Sequence, residues 1–294
     1  MATLRDIRTR IGAVKNIAKI TSAMKMVAVA KMRRAQANIT AARPYAEKLS
    51  SMLSLLAAGA DESVSPLFEQ RKDIRNIALI VVSADRGLCG GFNSNIMRTT
   101  MQTVKSLNKE YPQAKVHLIT VGKRATEFFS RRAEYSVVDK FPGIFQRLEF
   151  IYAQSIARVA SEGFLRGTFD KVYLIGNEFR SIVRQEVSVR DFLPILPPKT
   201  EATSKYAVEY IYEPSQDAIL NTLLPKHLNT QIWRALLESN AAEQAARMMA
   251  MDNATRNAKD LNRTLTLTYN NLRQAAITKE ILEVVGGAEA LSKG

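Results

Sequence analysis

The residues best placed to do chemistry gather in Asp85-Arg86-Gly87-Leu88-Cys89-Gly90-Gly91-Phe92-Asn93. A glycine turn between an apolar strand and a helix is where α/β proteins hold phosphates, because backbone N–H groups and a helix start converge on the anion. The spacings that achieve this are GxxxxGK followed by Ser or Thr, and GxGxxG. Here the glycines fall at 87, 90 and 91 with no lysine after them, so neither spacing is met. The segment reads instead as a tight strand-to-helix turn that uses glycine for positive φ. Gly122-Lys123 lacks the upstream glycine of a phosphate loop, and Asp85 beside Arg86 reads as an ion pair local to the turn. His117 falls inside an expected strand, His227 near the start of the last helix, and Cys89 has no CxxC partner. These residues supply neither a nucleophile with its base nor a metal-ligand spacing. The expectation is a non-catalytic chain with no cofactor, no metal and no catalytic residue.

The elements around the turn alternate. Asn76–Ser83 is a continuous apolar run, as in a strand covered on both faces. Strands are expected again at Val116–Val121, Tyr135–Lys140 and Lys171–Gly176, with helices at Lys123–Arg132 and Arg147–Gly163 between them. That order predicts an α/β domain with an open, mainly parallel, Rossmann-like sheet and no nucleotide site. Ser181–Phe192 and Tyr206–Tyr212 read as later strands, separated by a loop from Pro194 to Ser204.

The two ends are of another kind. Sixty residues from Lys226 to Val285 contain neither Gly nor Pro, and Ala2–Arg43 is interrupted only by Gly12. Long helices are predicted at both, the C-terminal one alone reaching ~90 Å. In the first, Leu4, Ile7, Ile11, Val14, Ile17, Ile20, Met24 and Val27 give a 3-4-3 apolar spacing twice, with an extra three-residue step after Val14. In the second, a stripe Leu261, Leu265, Thr268, Leu272, Ala275 follows a block of alanines from Ala241 to Ala258 suited to close helix approach. Thr264–Tyr269 alternates like a strand, but its helix-forming flanks favour helix. The expected architecture is a long antiparallel coiled coil of residues 1–60 and 215–294, forming a rod fixed to a globular α/β foot of residues 61–214.

Charge concentrates on the first helix. The net charge is +14, and the first sixty residues carry eleven Lys/Arg against Asp6 and Glu47, a net of +9. A nucleic acid, an anionic membrane or an acidic protein surface could each want that helix. No aromatic platform for base stacking accompanies the basic positions, so no nucleic acid is expected. No apolar run approaches the ~20 residues of a membrane span. A single cysteine rules out an intrachain disulfide and fits a reducing compartment.

Four separated stretches, in order along nearly the whole chain, resemble the gamma subunit of rotary F-type ATP synthases, of the bacterial type. They are Lys19-Ile20-Thr21-Ser22-Ala23-Met24-Lys25-Met26-Val27-Ala28 with Ala42-Arg43-Pro44-Tyr45, the turn Ser83–Asn93, Glu243-Gln244-Ala245-Ala246-Arg247-Met248, and Tyr269–Glu280. The resemblance implies a non-catalytic central rotor shaft. Its terminal helices would occupy the bore of a ring of alternating alpha and beta subunits, and its foot would bind the epsilon subunit and stand on the membrane c ring. It would couple proton-driven rotation of the c ring to conformational cycling of the beta subunits. It also implies contacts with the beta-subunit lever and catch loops at Met24, Arg273, Gln274 and Thr278. A bearing tip is implied at Ile281, Val284 and Val285, and an epsilon and c-ring contact at Tyr210, Tyr212 and Glu213. The regulatory cysteine pair of plant chloroplast members is missing, since Cys89 stands alone. The expected place is the cytoplasmic face of a bacterial plasma membrane, held peripherally by the complex; the start at Ala2 without an added presequence favours a bacterial over a mitochondrial chain. A generic coiled-coil scaffold is the competing reading.

Overall fold

β1 (Asn76–Val82) is apolar beyond its first residue because both of its faces are covered. In the computed structural model, which describes residues 3–57, 65–182, 184–195, 213 and 215–292, Ala78, Ile80 and Val82 point into one core and Ile77, Leu79 and Val81 into another. The strand lies at the centre of a five-stranded sheet of order β3-β2-β1-β4-β5. β2 (Lys115–Val121), β3 (Ser136–Phe141) and β4 (Lys171–Phe179) run parallel to it, and β5 (Gln185–Leu193) is antiparallel at the edge. The second core lies under α2 (Phe92–Glu110) and α3 (Lys123–Ser130). The first lies under α4 (Phe150–Leu165) and the start of α5 (Gln216–Ser292), with Leu53 of α1 (Leu4–Ala57) added. This is the doubly wound α/β arrangement read from the alternating pattern. β5 begins later than Ser181 because Ser181 and Arg184 close a turn, Ser181 N donating to the Arg184 carbonyl at 3.1 Å. The strand read at Tyr206–Tyr212 lies outside the described residues.

Both terminal helices run past the prolines that bound their breaker-free stretches: Pro44 lies inside α1 and Pro225 inside α5. A helical proline costs about 3 kcal/mol. Around Pro225 the burial of Leu220, Leu224 and Leu228, none more than 1 % exposed, offsets it.

The chain divides into two compact units, Val29–Arg247 and Met1–Ala28 with Met248–Gly294. In the first, Gly122 closes β2 at φ 89°, ψ 146°, a conformation open essentially to glycine alone. A Cβ there would stand 2.2 Å from the Ser83 carbonyl oxygen. Gly122→Ala is expected to destabilise this unit by at least about 1–3 kcal/mol. An unchanged urea midpoint, read from the fluorescence of the single tryptophan, Trp233, would show that the turn relaxes freely.

Candidate functional site

The strand order reverses between β1 and β4, and in open α/β sheets the crevice beyond the strand ends at that point is where ligands bind. Here the protein's own groups fill it. The Asp85 carboxylate accepts the backbone N–H of Lys123 and of Gly143 at 2.8 Å each and of Phe145 at 2.9 Å. Arg124 N donates to the Ala84 carbonyl and Ala125 N to Ser83 Oγ, at 3.1 and 2.8 Å. The first three N–H groups of α3, those that would receive a phosphate, are thus satisfied from the turn after β1. Asp85 makes these bonds in place of the ion pair with Arg86 read from the sequence, because three converging N–H groups offer a buried carboxylate more than one mobile exposed guanidinium. Positive φ falls on Leu88 and Gly90, and Asn93 ties the turn by accepting from Ala84 N and donating to the Arg86 carbonyl.

α5 closes the crevice. Ala241, Ala242 and Ala245 are completely buried, and Ala242 packs in the core beneath β1 and α2. The alanine block therefore serves close helix-to-sheet packing at this end, whereas its last member, Ala258, is buried in the other unit. Arg247 donates to the Gly87 carbonyl at 3.1 Å and pairs with Glu243 at 2.6 Å, their side chains 11 % and 5 % exposed. Burial pushes the Glu243 carboxyl up, opposed by Arg247. Nearby, Arg190 bridges Glu178 and Glu238, and Glu238 also accepts from Arg234. Sequence reading matched Glu243 and Arg247 to a motif without giving them a role; their i,i+4 spacing inside an alanine run was the available signal.

Of the isolated titratable candidates Cys89 is buried and His117 and His227 are half-buried, and none is paired with a base. Burial pushes the Cys89 thiol up, with Glu243 adding to it, and lowers His227 and His117, the latter with help from Lys115. His117 is held between Ser136 and Asn76.

In the helix-pair unit, Thr21 and Thr255 share a hydrogen bond of 2.7 Å and Lys25 pairs with Asp252 at 2.6 Å. Rising numbers on α1 meet falling numbers on α5, so the helices are antiparallel. The seam differs from the one read from the sequence. On α1 it is Leu4, Ile7, Ile11, Val14, Ala18, Thr21, Lys25 and Ala28, an unbroken 4-3 alternation without the extra step, while Ile17, Ile20 and Val27 are 50–59 % exposed. On α5 it runs Met251, Thr255, Ala258, Asn262, Leu265 and Tyr269, with Leu261 49 % exposed and Thr268 exposed. Small and polar residues occupy the seam where the helices bond to each other, and the large apolar side chains Ile17, Ile20 and Val27 lie on the neighbouring face. The stretch Thr264–Tyr269 is helical, and the hydroxyls of Thr264, Thr266 and Thr268 are accommodated in it by donating to carbonyls four residues back.

Lys25 and then Arg256 hold the Asp252 carboxyl below its ordinary value of 3.8. A depressed carboxylate contributes stability above its unfolded pKa that is lost as pH falls through the folded one. Helix pairing is therefore expected to weaken on acidification below 3.8. Asp252→Asn should flatten that acid dependence of the far-ultraviolet helix signal; an identical acid profile in the variant would remove Asp252 from the account.

Met24 is half-buried beside Lys25, whereas Arg273, Gln274 and Thr278 are exposed. Extending the register of the two bridging pairs places Arg273 level with Leu4, some 20 residues or ~30 Å along the pair from Met24. The structure thus sets these residues at two levels. Beyond Arg273 the register offers no partner among the described residues of α1, and Ile281, Val284 and Val285 are 56–72 % exposed. Glu213 is exposed, and Tyr210 and Tyr212 lie outside the described residues.

The ATP synthase family matches residues 3–291. An ATP synthase gamma chain of Chloroherpeton thalassium is 50 % identical over 100 % of this chain and 99 % of its own length. That of Chlorobaculum parvum is 48 % identical over the whole of both chains. Among solved structures, the central stalk and c-ring of the Tetrahymena thermophila mitochondrial ATP synthase contains a chain 25 % identical with a TM-score of 0.58, covering 80 % of this chain and 99 % of that one. A chain of the Euglena gracilis mitochondrial enzyme, 19 % identical with a TM-score of 0.65 over 98 % and 94 %, shares the fold.

Proposed function

We infer the working role of this chain from one premise: it belongs to the ATP synthase family, as a gamma chain. It is a non-catalytic subunit of the central stalk, and its work is to turn inside a ring of alternating alpha and beta subunits. The observation that carries this reading is exposed aliphatic surface on the helix pair, at Ile17, Ile20 and Val27, and on the α5 extension at Ile281, Val284 and Val285. Such surface marks contact with other chains. A shaft that presents different side chains to three otherwise equivalent beta subunits shifts each toward a different nucleotide affinity, which needs no catalytic group on the shaft itself.

Within this role Met24 faces the beta-subunit lever, and Arg273, Gln274 and Thr278 meet the catch loops at a second level. Ile281, Val284 and Val285 form the bearing tip, and Tyr210, Tyr212 and Glu213 contribute to the contact with the epsilon subunit and the c ring. Residues 1–60 and 215–294 act as the shaft and 61–214 as the foot. The relatives are bacterial, and no helix among the described residues is long and apolar enough to cross a membrane. The chain accordingly works at the cytoplasmic face of the plasma membrane, attached through the complex, and couples c-ring rotation driven by protons to ATP synthesis. A basic first helix suits acidic ring surfaces.

The test is reconstitution. The isolated chain is expected to show no ATPase activity, and mixing it with alpha and beta subunits to give a complex that hydrolyses ATP; failure to enter the complex would overturn the reading. Met24→Lys, which places a charge at a half-buried position beside Lys25, is expected to lower protons pumped per ATP more than it lowers assembly. Equal pumping ratios in variant and parent would remove Met24 from the coupling contact.

A further inference from the structure

On the α2–α3 side of the sheet lies an open cleft of about 810 Å³, which shares only Asn93 and Arg124 with the turn described above. Its floor is Met97, Met101 and Phe128, the first buried and the others half-buried, and around it stand Arg98, Arg124, Arg131 and Arg132, all exposed. Glu127 is the only acidic residue in the lining, and it is shared by Lys123 and Arg124 at 3.8 and 3.5 Å. Among the described residues, Arg98, Arg131 and Arg132 have no carboxylate within ion-pair distance; Arg132 stacks over the Phe128 ring, 3.6 Å from its centroid, and donates to the Phe128 carbonyl.

Four arginines ringed around a Met and Phe floor are costly to keep together on a free surface. Like charges repel, and the floor exposes apolar area to water. Methionine, aromatic residues and arginine are the types enriched where proteins bind proteins, and methionine adapts its shape to the group it receives. A free phosphate would gain nothing from the apolar floor. A lipid surface would need a protruding basic face, and these side chains line a concavity.

We propose that this cleft is a docking site for an acidic amphipathic segment of a partner polypeptide, which sets apolar side chains against Met97, Met101 and Phe128 and carboxylates against Arg98, Arg131 and Arg132. The site goes beyond the ring, epsilon and c-ring contacts assigned above, because it lies on neither the helix pair nor the foot residues named for them. Arg124 is partly neutralised by Glu127 and contributes least.

The test follows the ten methionine methyl groups of the full-length chain by NMR. The titrants are a helical peptide with leucine on one face and glutamate on the other, its lysine-for-glutamate counterpart, inorganic phosphate, and phosphatidylglycerol vesicles. The leucine–glutamate peptide is expected to shift the Met97 and Met101 signals saturably while the lysine peptide does not. Arg98→Glu with Arg131→Glu, both at exposed side chains, should weaken that binding by roughly tenfold or more. Phe128→Ala should weaken the leucine–glutamate peptide while leaving a polyglutamate peptide unaffected. The proposal is overturned if the peptide shifts only methionines of α1, if the charge-reversed chain binds equally well, or if phosphate or vesicles alone reproduce the Met97 and Met101 shifts.

Discussion

Replacing Arg247 by alanine is expected to destabilise the Val29–Arg247 unit by about 3–5 kcal/mol, the cost of leaving one partner of a buried ion pair uncompensated. Two contacts go at once, the 2.6 Å pair with Glu243 and the 3.1 Å bond to the Gly87 carbonyl. The Glu243 carboxyl, already raised by burial, would lose the guanidinium that opposes the rise. A carboxyl whose folded pKa lies above its unfolded one is stabilising below the unfolded value of 4.5, and that contribution is lost as pH rises through the folded pKa. The deficit of the Arg247→Ala chain should therefore grow from acid toward neutral pH. The double variant Glu243→Leu, Arg247→Met is expected to recover most of the loss, since a buried pair exchanged for apolar groups is often neutral. Urea unfolding followed at Trp233 reads all three chains. A deficit that does not change with pH, or a double variant as weak as the single, would mean that Arg247 acts through the Gly87 bond and packing and not through the charge it neutralises.

That pair also explains how a sheet with the strand order of a dinucleotide-binding fold serves as a mechanical part. Asp85 caps α3 from within, and the alanine face of α5 with Glu243 and Arg247 closes the crevice at the switch point. Within the Val29–Arg247 unit, an anion-binding end and a ligand crevice thus serve as attachments of α5 to the sheet.

The sheet was legible because its evidence is local. The run Asn76–Val82 declares a strand covered on both faces, and glycines at the wrong spacing declare that no phosphate is held. The interior of the crevice was not legible, because Asp85, Lys123, Gly143 and Phe145 meet only through the topology, and their bonds use backbone N–H groups that carry no sequence signature. The helix seam failed for a different reason. Hydrophobic periodicity finds large apolar residues, and here Ala18, Thr21 and Lys25 hold the seam by close approach, a hydroxyl bond and an ion pair while Ile17 and Ile20 face outward. The displaced stripe is itself informative, since a helix keeps two apolar faces only when both are covered in its working state.

That second face gives a prediction that separates shaft from scaffold. Ile17→Gln with Ile20→Gln is expected to leave the chain's own thermal unfolding within about 0.5 kcal/mol of the parent, because both side chains are at least half exposed. If the face is covered by ring subunits, completing the burial of each isoleucine is worth about 0.8–1.5 kcal/mol, half of a full transfer, so the pair should weaken assembly by roughly 10- to 150-fold. Val14→Gln, at a seam position only 8 % exposed, should do the reverse and unfold the helix pair first. The measurements are thermal unfolding of each isolated chain and titration of each into alpha and beta subunits with ATP hydrolysis as readout. Equal assembly by the Ile17, Ile20 chain and its parent would show that this face meets nothing in the complex, and the aliphatic stripe would then need a partner other than the ring.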